Sequence, residues 1–226
     1  LLTCHVPACG YDIMQISVPS AMCITDENRH YNTHFHNDLH KYKAIGIGPG
    51  LDTQPATARS LELLLDAWQQ PVVIDADALN LLSVYPSLLD KVPAGTILTP
   101  HPKEFERLFG ATANDVARLE LLSQQAVSRQ VYILLKGRYT AIACPDGAVY
   151  FNNTGNPGMA TGGSGDVLTG ILTGLLAQNY SPKAAALLGA WLHGFAGDLA
   201  AAHLSPEAMT AADIIAWMGK AFREGI

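Results

Sequence analysis

The run from Asn153 to Gly170 reads Asn-Thr-Gly-Asn-Pro-Gly-Met-Ala-Thr-Gly-Gly-Ser-Gly-Asp-Val-Leu-Thr-Gly, and it sets a cluster of glycines and one carboxylate ahead of an apolar segment. Gly162, Gly163 and Gly165 can take backbone conformations closed to residues with a Cβ, so successive N–H groups can converge on one anion. Val167, Leu168, Ile171, Leu172, Leu175 and Leu176 recur at helical spacing. The turn therefore opens onto a helix N-terminus, where unpaired N–H groups and the macrodipole favour negative charge. The N–H groups of Gly163, Ser164 and Gly165 form a candidate anion hole. Asp166, in the first turn, reads either as a partner of the helix dipole or as a general base facing a substrate hydroxyl.

Other polar motifs carry chemistry of their own. The glycines of Gly46-Ile-Gly-Pro-Gly50-Leu, Gly50 among them, either admit a substrate close to the backbone or make a plain turn. The carboxylates of Asp75-Ala-Asp-Ala-Leu-Asn80 either orient a substrate or hold a metal through water, unless Asp77 simply caps a helix over 78–82. In Thr99-Pro-His-Pro-Lys-Glu104 two prolines fix an extended loop that presents His101, with Glu104 at a helix start. Lys136-Gly-Arg-Tyr-Thr140 leaves an apolar run with a cation and a glycine, which suits a nucleotide phosphate or a solvated turn. His30, His34, His36 and His40 have metal-like spacing, but the Asn, Asp and Tyr between them read as an exposed connection and no acidic or cysteine ligand completes a set.

These motifs must be positioned by elements that the hydrophobic pattern supplies. Short apolar runs at 43–48, 72–74, 96–98 and 131–135 read as strands, separated by helical patterns at 57–69, around 104–108 and at 115–128. That alternation predicts an α/β fold, a mostly parallel sheet with right-handed crossovers and helices on both faces. Residues 141–144 and 148–151 flank Pro145-Asp146-Gly147 and predict an antiparallel hairpin at one edge. Ser181-Pro182 starts one final helix, and Thr210 with Asp213 starts another. In such sheets ligands bind beyond the carboxyl ends of the strands, where the polar motifs fall.

A chain of 226 residues with 49% hydrophobic content suits one domain with one sizeable core. A formal charge of −6 without a basic run argues against a nucleic-acid or anionic-membrane partner. Four cysteines without C-x-x-C spacing suit reduced thiols in a cytoplasm. The apolar stretch 184–202 is interrupted by His193 and Asp198 and reads as a buried core helix. Its alanines and glycines, with Gly170 and Gly174, bury little area each and so predict close neighbours in a homo-oligomer.

The Asn153–Gly170 run closely resembles the signature of the ribokinase-like superfamily, and within it that of the NAD(P)H-hydrate dehydratases. The resemblance extends from about Leu2 to Gly219 and implies a single ribokinase-like domain over 1–226, apparently without the family's first strand and glycine-rich loop. It also implies ADP- or ATP-dependent dehydration of the 6-hydroxy hydrates of NADH and NADPH, with Mg²⁺ as cofactor. By the same likeness Asp166 is the catalytic base, Gly50, His101 and Asp166 contact the substrate, and Lys136, Gly137, Arg138, Tyr139, Thr140 and Gly165 hold the nucleotide. Glu104 corresponds to an acidic residue near magnesium, acting through water. An attached or partner epimerase domain is compatible with the family. Where relatives have Pro-Glu near the start this chain has Pro19-Ser20, which leaves that acidic residue without a counterpart. A vitamin-precursor kinase of the same superfamily, or a nucleotide sensor without turnover, would share these motifs.

Overall fold

Short buried strands can pair in parallel only if the chain crosses back over the sheet, and the helical stretches between the apolar runs supply the crossings. A computed structural model describes residues 1–35 and 38–225 of the chain. It opens with β1 (Thr3–Val6), α1 (Tyr11–Ser17) and β2 (Met22–Thr25). These strands form a separate parallel pair in which Cys4 stands opposite Cys23. β2 was not anticipated from the sequence.

The main sheet begins with β3 (Ile45–Ile47), α2 (Pro55–Ala67), β4 (Val72–Ile74), α3 (Ala76–Val84), α4 (Pro86–Leu89) and β5 (Ile97–Leu98). It continues through α5 (Pro102–Phe109), α6 (Asp115–Arg129), β6 (Tyr132–Leu135), β7 (Ala141–Ala143) and β8 (Val149–Phe151). Among the described residues its six strands lie in the order β3-β4-β5-β6-β7-β8. The pairs from β3 to β6 are parallel, and β7 and β8 add the antiparallel edge. Three helices finish the chain, α7 (Ser164–Ala177), α8 (Pro182–Leu204) and α9 (Ala211–Gly225).

Both faces of the sheet are covered, because alternate strand residues feed different cores. Val72, Ile74, Leu98 and Ile133 pack with Leu61 and Leu65 of α2 and Phe105 of α5. Val73, Ile97, Leu134 and Ile142 pack instead under Leu168, Leu172 and Leu175 of α7 and the alanines of α8. By length and composition α8 is apolar enough to cross a membrane, yet half of that stretch is buried within the protein. Ala185, Ala186 and Ala190 meet α7, while Ala196 and Ala200 meet Ile214 and Ala221 of α9. The neighbours that the small residues of α8 require are therefore found inside one chain, and this helix gives no separate reason for association.

One side of α8 receives the first half of the glycine-rich run. Thr154 Oγ1 donates to the Trp191 carbonyl at 2.9 Å, and Asn152 Nδ2 donates to that of Ala190 at 3.2 Å. Asp198 accepts from the Gly155 N–H at 2.8 Å and from Asn156 Nδ2 at 3.0 Å. Gly194 and Gly197 make room for this docking, since a Cβ on either would overlap Thr154 or Met159. Gly194→Ala is therefore expected to destabilise the fold by about 2 kcal/mol, because a backbone and not a flexible side chain must move. Gly219→Ala, at an exposed helical position with open space around it, is expected to stabilise by about 0.5–1 kcal/mol. Parallel chemical denaturation of the two variants checks both signs.

Candidate active site

The polar motifs converge at the carboxyl edge of the parallel strands. β3 ends in a tight loop in which Gly48 has φ +132, and a Cβ there would collide with the Asp75 carbonyl. Gly50, at φ +63, is exposed with nothing within 4 Å of a Cβ position, so the backbone there is open to a ligand. The Asp52 N–H donates to Asp77 Oδ2 at 2.9 Å, which ties this loop to the start of α3. The capping alternative for Asp77 does not hold. That role falls to Asp75, whose Oδ1 accepts from the Ala76 N–H at 2.9 Å.

Asp75 is fully buried at the end of β4. Its Oδ1 lies 2.8 Å from Lys136 Nζ, and its Oδ2 accepts from Thr169 Oγ1 at 2.8 Å. Both oxygens thus already accept from protein donors, which supports a structural role for Asp75 over that of a substrate or metal ligand. The Asp75–Lys136–Thr169 set joins β4, β6 and α7. Sequence reasoning named Asp75 and Lys136 separately and missed Thr169, whose place in an apolar helix was the available signal.

After β5, His101 and Glu104 cap α5 reciprocally. His101 Nδ1 accepts from the N–H groups of Lys103 and Glu104, and Glu104 Oε2 accepts from the His101 N–H at 2.8 Å. The other carboxylate oxygen of Glu104 lies 3.5 Å from His101 Nε2. Proline at the first helical position removes a donor that would otherwise need a partner. Glu104 is buried and the His101 side chain is half exposed, so the imidazole faces solvent at the strand ends.

The 136–140 loop lies beside a cleft of about 580 Å³. Leu119, Leu135, Lys136, Arg138, Tyr139 and Phe151 are among its walls. Arg138 stacks over the Tyr139 ring at 5.3 Å. Apolar walls rimmed by cations suit a flat heterocycle carrying phosphates.

The glycine turn closes the site. Gly163 has φ +86 and is the N-cap of α7. Gly162 and Gly165 have no positive φ, so of the three glycines only Gly163 uses the left-handed freedom expected of them all. Ser164 is buried, with Oγ 3.3 Å from His193 Nε2. Asp166 stands exposed in the first turn, without a protein partner for its carboxylate among the described residues. A Cβ on Gly165 would lie 3.5 Å from Lys136 Nζ and 3.6 Å from Asp75 Oδ2, so the ammonium sits directly against the turn. The Asp166 carboxylate, the first-turn N–H groups and a fixed cation together can accept a proton and stabilise a transferring anion.

A sequence profile described as NAD(P)H-hydrate dehydratase matches residues 3–219. The chain belongs to the NAD(P)H-hydrate dehydratase family. It is 50% identical over 179 residues to a bifunctional NAD(P)H-hydrate repair enzyme of Moorella thermoacetica, covering 78% of this chain and 34% of that protein. The chain thus spans about a third of the length of that relative. A Bacillus subtilis ADP/ATP-dependent NAD(P)H-hydrate dehydratase, co-crystallised with ATP and magnesium, superposes with a TM-score of 0.78 at 32% identity, over 94% of this chain and 75% of that one. A ribokinase-like superfamily protein from Enterococcus faecalis gives a TM-score of 0.76 at 29% identity, over 98% of this chain and 77% of that one. The ribokinase-like architecture expected for the dehydratases, with its parallel strands and antiparallel edge, is the one found.

Among the histidines weighed as a metal set, His34 lies by a buried carboxylate, Asp26, at 3.2 Å, and His36 falls outside the described residues. Burial pushes the Asp26 carboxyl up, but hydrogen bonds from Asn28, Thr33 and His34 outweigh it and bring it down to about 2. His193 is the opposite case. Burial lowers the imidazole from 6.5 to about 4, with the Lys136 charge adding to the fall and the Ser164 bond opposing it. The unfolded chain therefore takes up a proton near pH 6.5 that the folded chain refuses until about pH 4. This contribution to stability is full above pH 6.5 and lost as the pH falls towards 4, and it amounts to about 3 kcal/mol. Asp26 acts below this window, because its contribution is full above the unfolded value of 3.8 and is lost as the pH falls from there to about 2. His193→Asn is expected to flatten the stability slope between pH 6.5 and 4, measured by denaturation at a series of pH values.

Proposed function

We propose that the chain catalyses ADP- or ATP-dependent dehydration of the 6-hydroxy hydrates of NADH and NADPH, as a carbon–oxygen lyase of metabolite repair. The observation that carries this reading is the exposed Asp166 carboxylate, set in the same first turn as the glycine anion site, whose Gly165 stands against the Lys136 ammonium. Asp166 takes the proton of the substrate 6-hydroxyl, whose oxygen attacks the terminal phosphorus of the nucleotide. The bond from that phosphorus to the nucleotide's bridging oxygen breaks. In this reading the N–H groups of Gly163, Ser164 and Gly165 face the transferring group, that of Ser164 being shared with the Thr161 carbonyl at 3.4 Å, and a free donor of this kind is worth about 3 kcal/mol. Phosphate then leaves with the electrons of the C–O bond, and loss of a ring proton restores the double bond.

Gly50 and His101 contact the hydrate beyond β3 and β5, and the cleft beside Lys136, Gly137, Arg138, Tyr139 and Thr140 takes the nucleotide, with Gly165 at its phosphates. Magnesium suits the donors present. Among the described residues Glu104 Oε1 has no approach closer than the 3.5 Å of His101 Nε2 and can accept from a metal-bound water, while Oε2 accepts from the cap. When bound, the ion neutralises charge on the phosphates. We place the protein in the cytoplasm, working with an epimerase domain or partner, in keeping with the length and bifunctional name of the Moorella relative. Assembly into a homo-oligomer is part of the proposal, with the outward Gly170 as a close-approach point.

Asp166→Asn keeps the shape but accepts no proton, so turnover is expected to fall roughly 10²–10⁴-fold with dinucleotide binding retained. The assay follows phosphate release and recovery of nicotinamide absorbance with hydrate and ADP, beside NADH and ADP alone. Phosphorylated product without phosphate release would mark a kinase, binding without either would mark a sensor, and activity of the variant within a few-fold of the parent would remove Asp166 from the role.

A further inference from the structure

Lys136 belongs to two places at once, because its side chain lines the cleft while Nζ stands 3.5 Å from the Cβ position of Gly165 in the anion turn. A lysine has a long flexible stem and a strongly hydrated head, and this one keeps 24% of its side-chain surface exposed. Left to itself it would spread over many rotamers. Asp75 prevents that. Its Oδ1 lies 2.8 Å from Nζ, and the carboxylate is fixed by the Ala76 N–H on Oδ1 and the Thr169 hydroxyl on Oδ2. Thr169 lies three residues beyond Asp166 on α7, so one buried carboxylate ties the helix bearing the base to the lysine beneath the turn. Glu104 Oε2 is 3.9 Å from Nζ, but that oxygen is already held by the His101 N–H.

We propose that Asp75 is a positioning residue, which holds the Lys136 ammonium under the glycine turn so that the cation is in place when charge develops on the transferring phosphoryl group. The proposal rests on the reading of the turn as the phosphoryl site. Asp75 touches neither substrate nor metal, and it acts through Lys136 alone.

The test is a double-mutant cycle on the full chain with Asp75→Asn, Lys136→Met and the pair together. Asparagine removes the charge and can keep both contacts, with its Oδ1 accepting from the Ala76 N–H and its Nδ2 donating to the Thr169 hydroxyl, the reverse of the present bond. Phosphate release with hydrate and ADP gives kcat and KM, and calorimetry with ADP and magnesium gives Kd. Asp75→Asn is expected to lower kcat by about tenfold or more and to weaken ADP several-fold, with KM for hydrate changing less than about threefold. In the Lys136→Met background the same change is expected to alter neither quantity by more than about twofold. Equal losses in both backgrounds, or an unchanged kcat in Asp75→Asn, would overturn the proposal. If Asp75→Asn does not fold, Thr169→Val loosens the same anchor, and its loss of kcat must likewise vanish in the Lys136→Met background. A parent that binds ADP without turning over hydrate would sink the dehydratase reading, and the cycle would then be judged on Kd alone. Were the parent to bind neither, both would fall.

Discussion

A carboxylate denied water must be answered by its surroundings, and the answer given to Asp75 organises the strand ends of this protein. An ionised group taken from water costs several kcal/mol unless its charge and lone pairs are met. Here a cation from the residue after β6, a hydroxyl from α7 and the first N–H of α3 meet them. Each donor lies on a different element, so those elements cannot shift relative to β4 without exposing an unpaired charge. The backbone carries part of the cost, because Ala76 sits at φ +46, in a region that favours glycine. Gly48 carries another part, since only a residue without a Cβ lets the β3 loop pass the Asp75 carbonyl.

The glycine-rich run divides into two halves with different physics. Its first half is a docking segment, held on α8 by Asp198, Thr154 and Asn152 and admitted there by Gly194 and Gly197. Its second half is the turn, which meets the rest of the protein through Gly163 against Ala211, Ser164 beside His193 and the underside of Gly165. The docking half fixes where the turn begins and the N-terminus of α7 fixes where it ends. The N–H groups of Gly163 and Gly165 can then remain available to a ligand without the loop losing its place, while that of Ser164 donates to the Thr161 carbonyl at 3.4 Å.

Much of the architecture was legible in the sequence because it follows from patterning. Strands β4 and β6 are β-branched or leucine-rich and lie between helical repeats, and the Pro-Asp-Gly between β7 and β8 announced a hairpin. β2 was hidden because Met22, Cys23, Ile24 and Thr25 neither alternate nor form a long apolar run, and its stability comes from pairing with β1. The cap of α3 was not legible for a related reason. Asp75 and Asp77 are chemically the same, and only the point at which β4 stops decides which of them precedes the helix. The three glycines of the turn are likewise alike as letters, yet Gly163 alone is carried to positive φ.

The candidate site was legible as a set of motifs but not as a set of contacts. His101 and Glu104 were recognisable as polar residues at a strand end, whereas their reciprocal capping depends on Pro102 starting α5 where it does. His193 and Asp198 entered the sequence reading only as interruptions of an apolar helix. In the fold both interruptions serve the same run, one beside Ser164 and the other beneath Gly155 and Asn156. A polar residue inside a buried helix is costly unless it has a partner, so its presence points to a neighbouring segment with donors to be satisfied. Here that segment is the glycine-rich run, and the polar residues of α8 mark where it must lie before any three-dimensional contact is known.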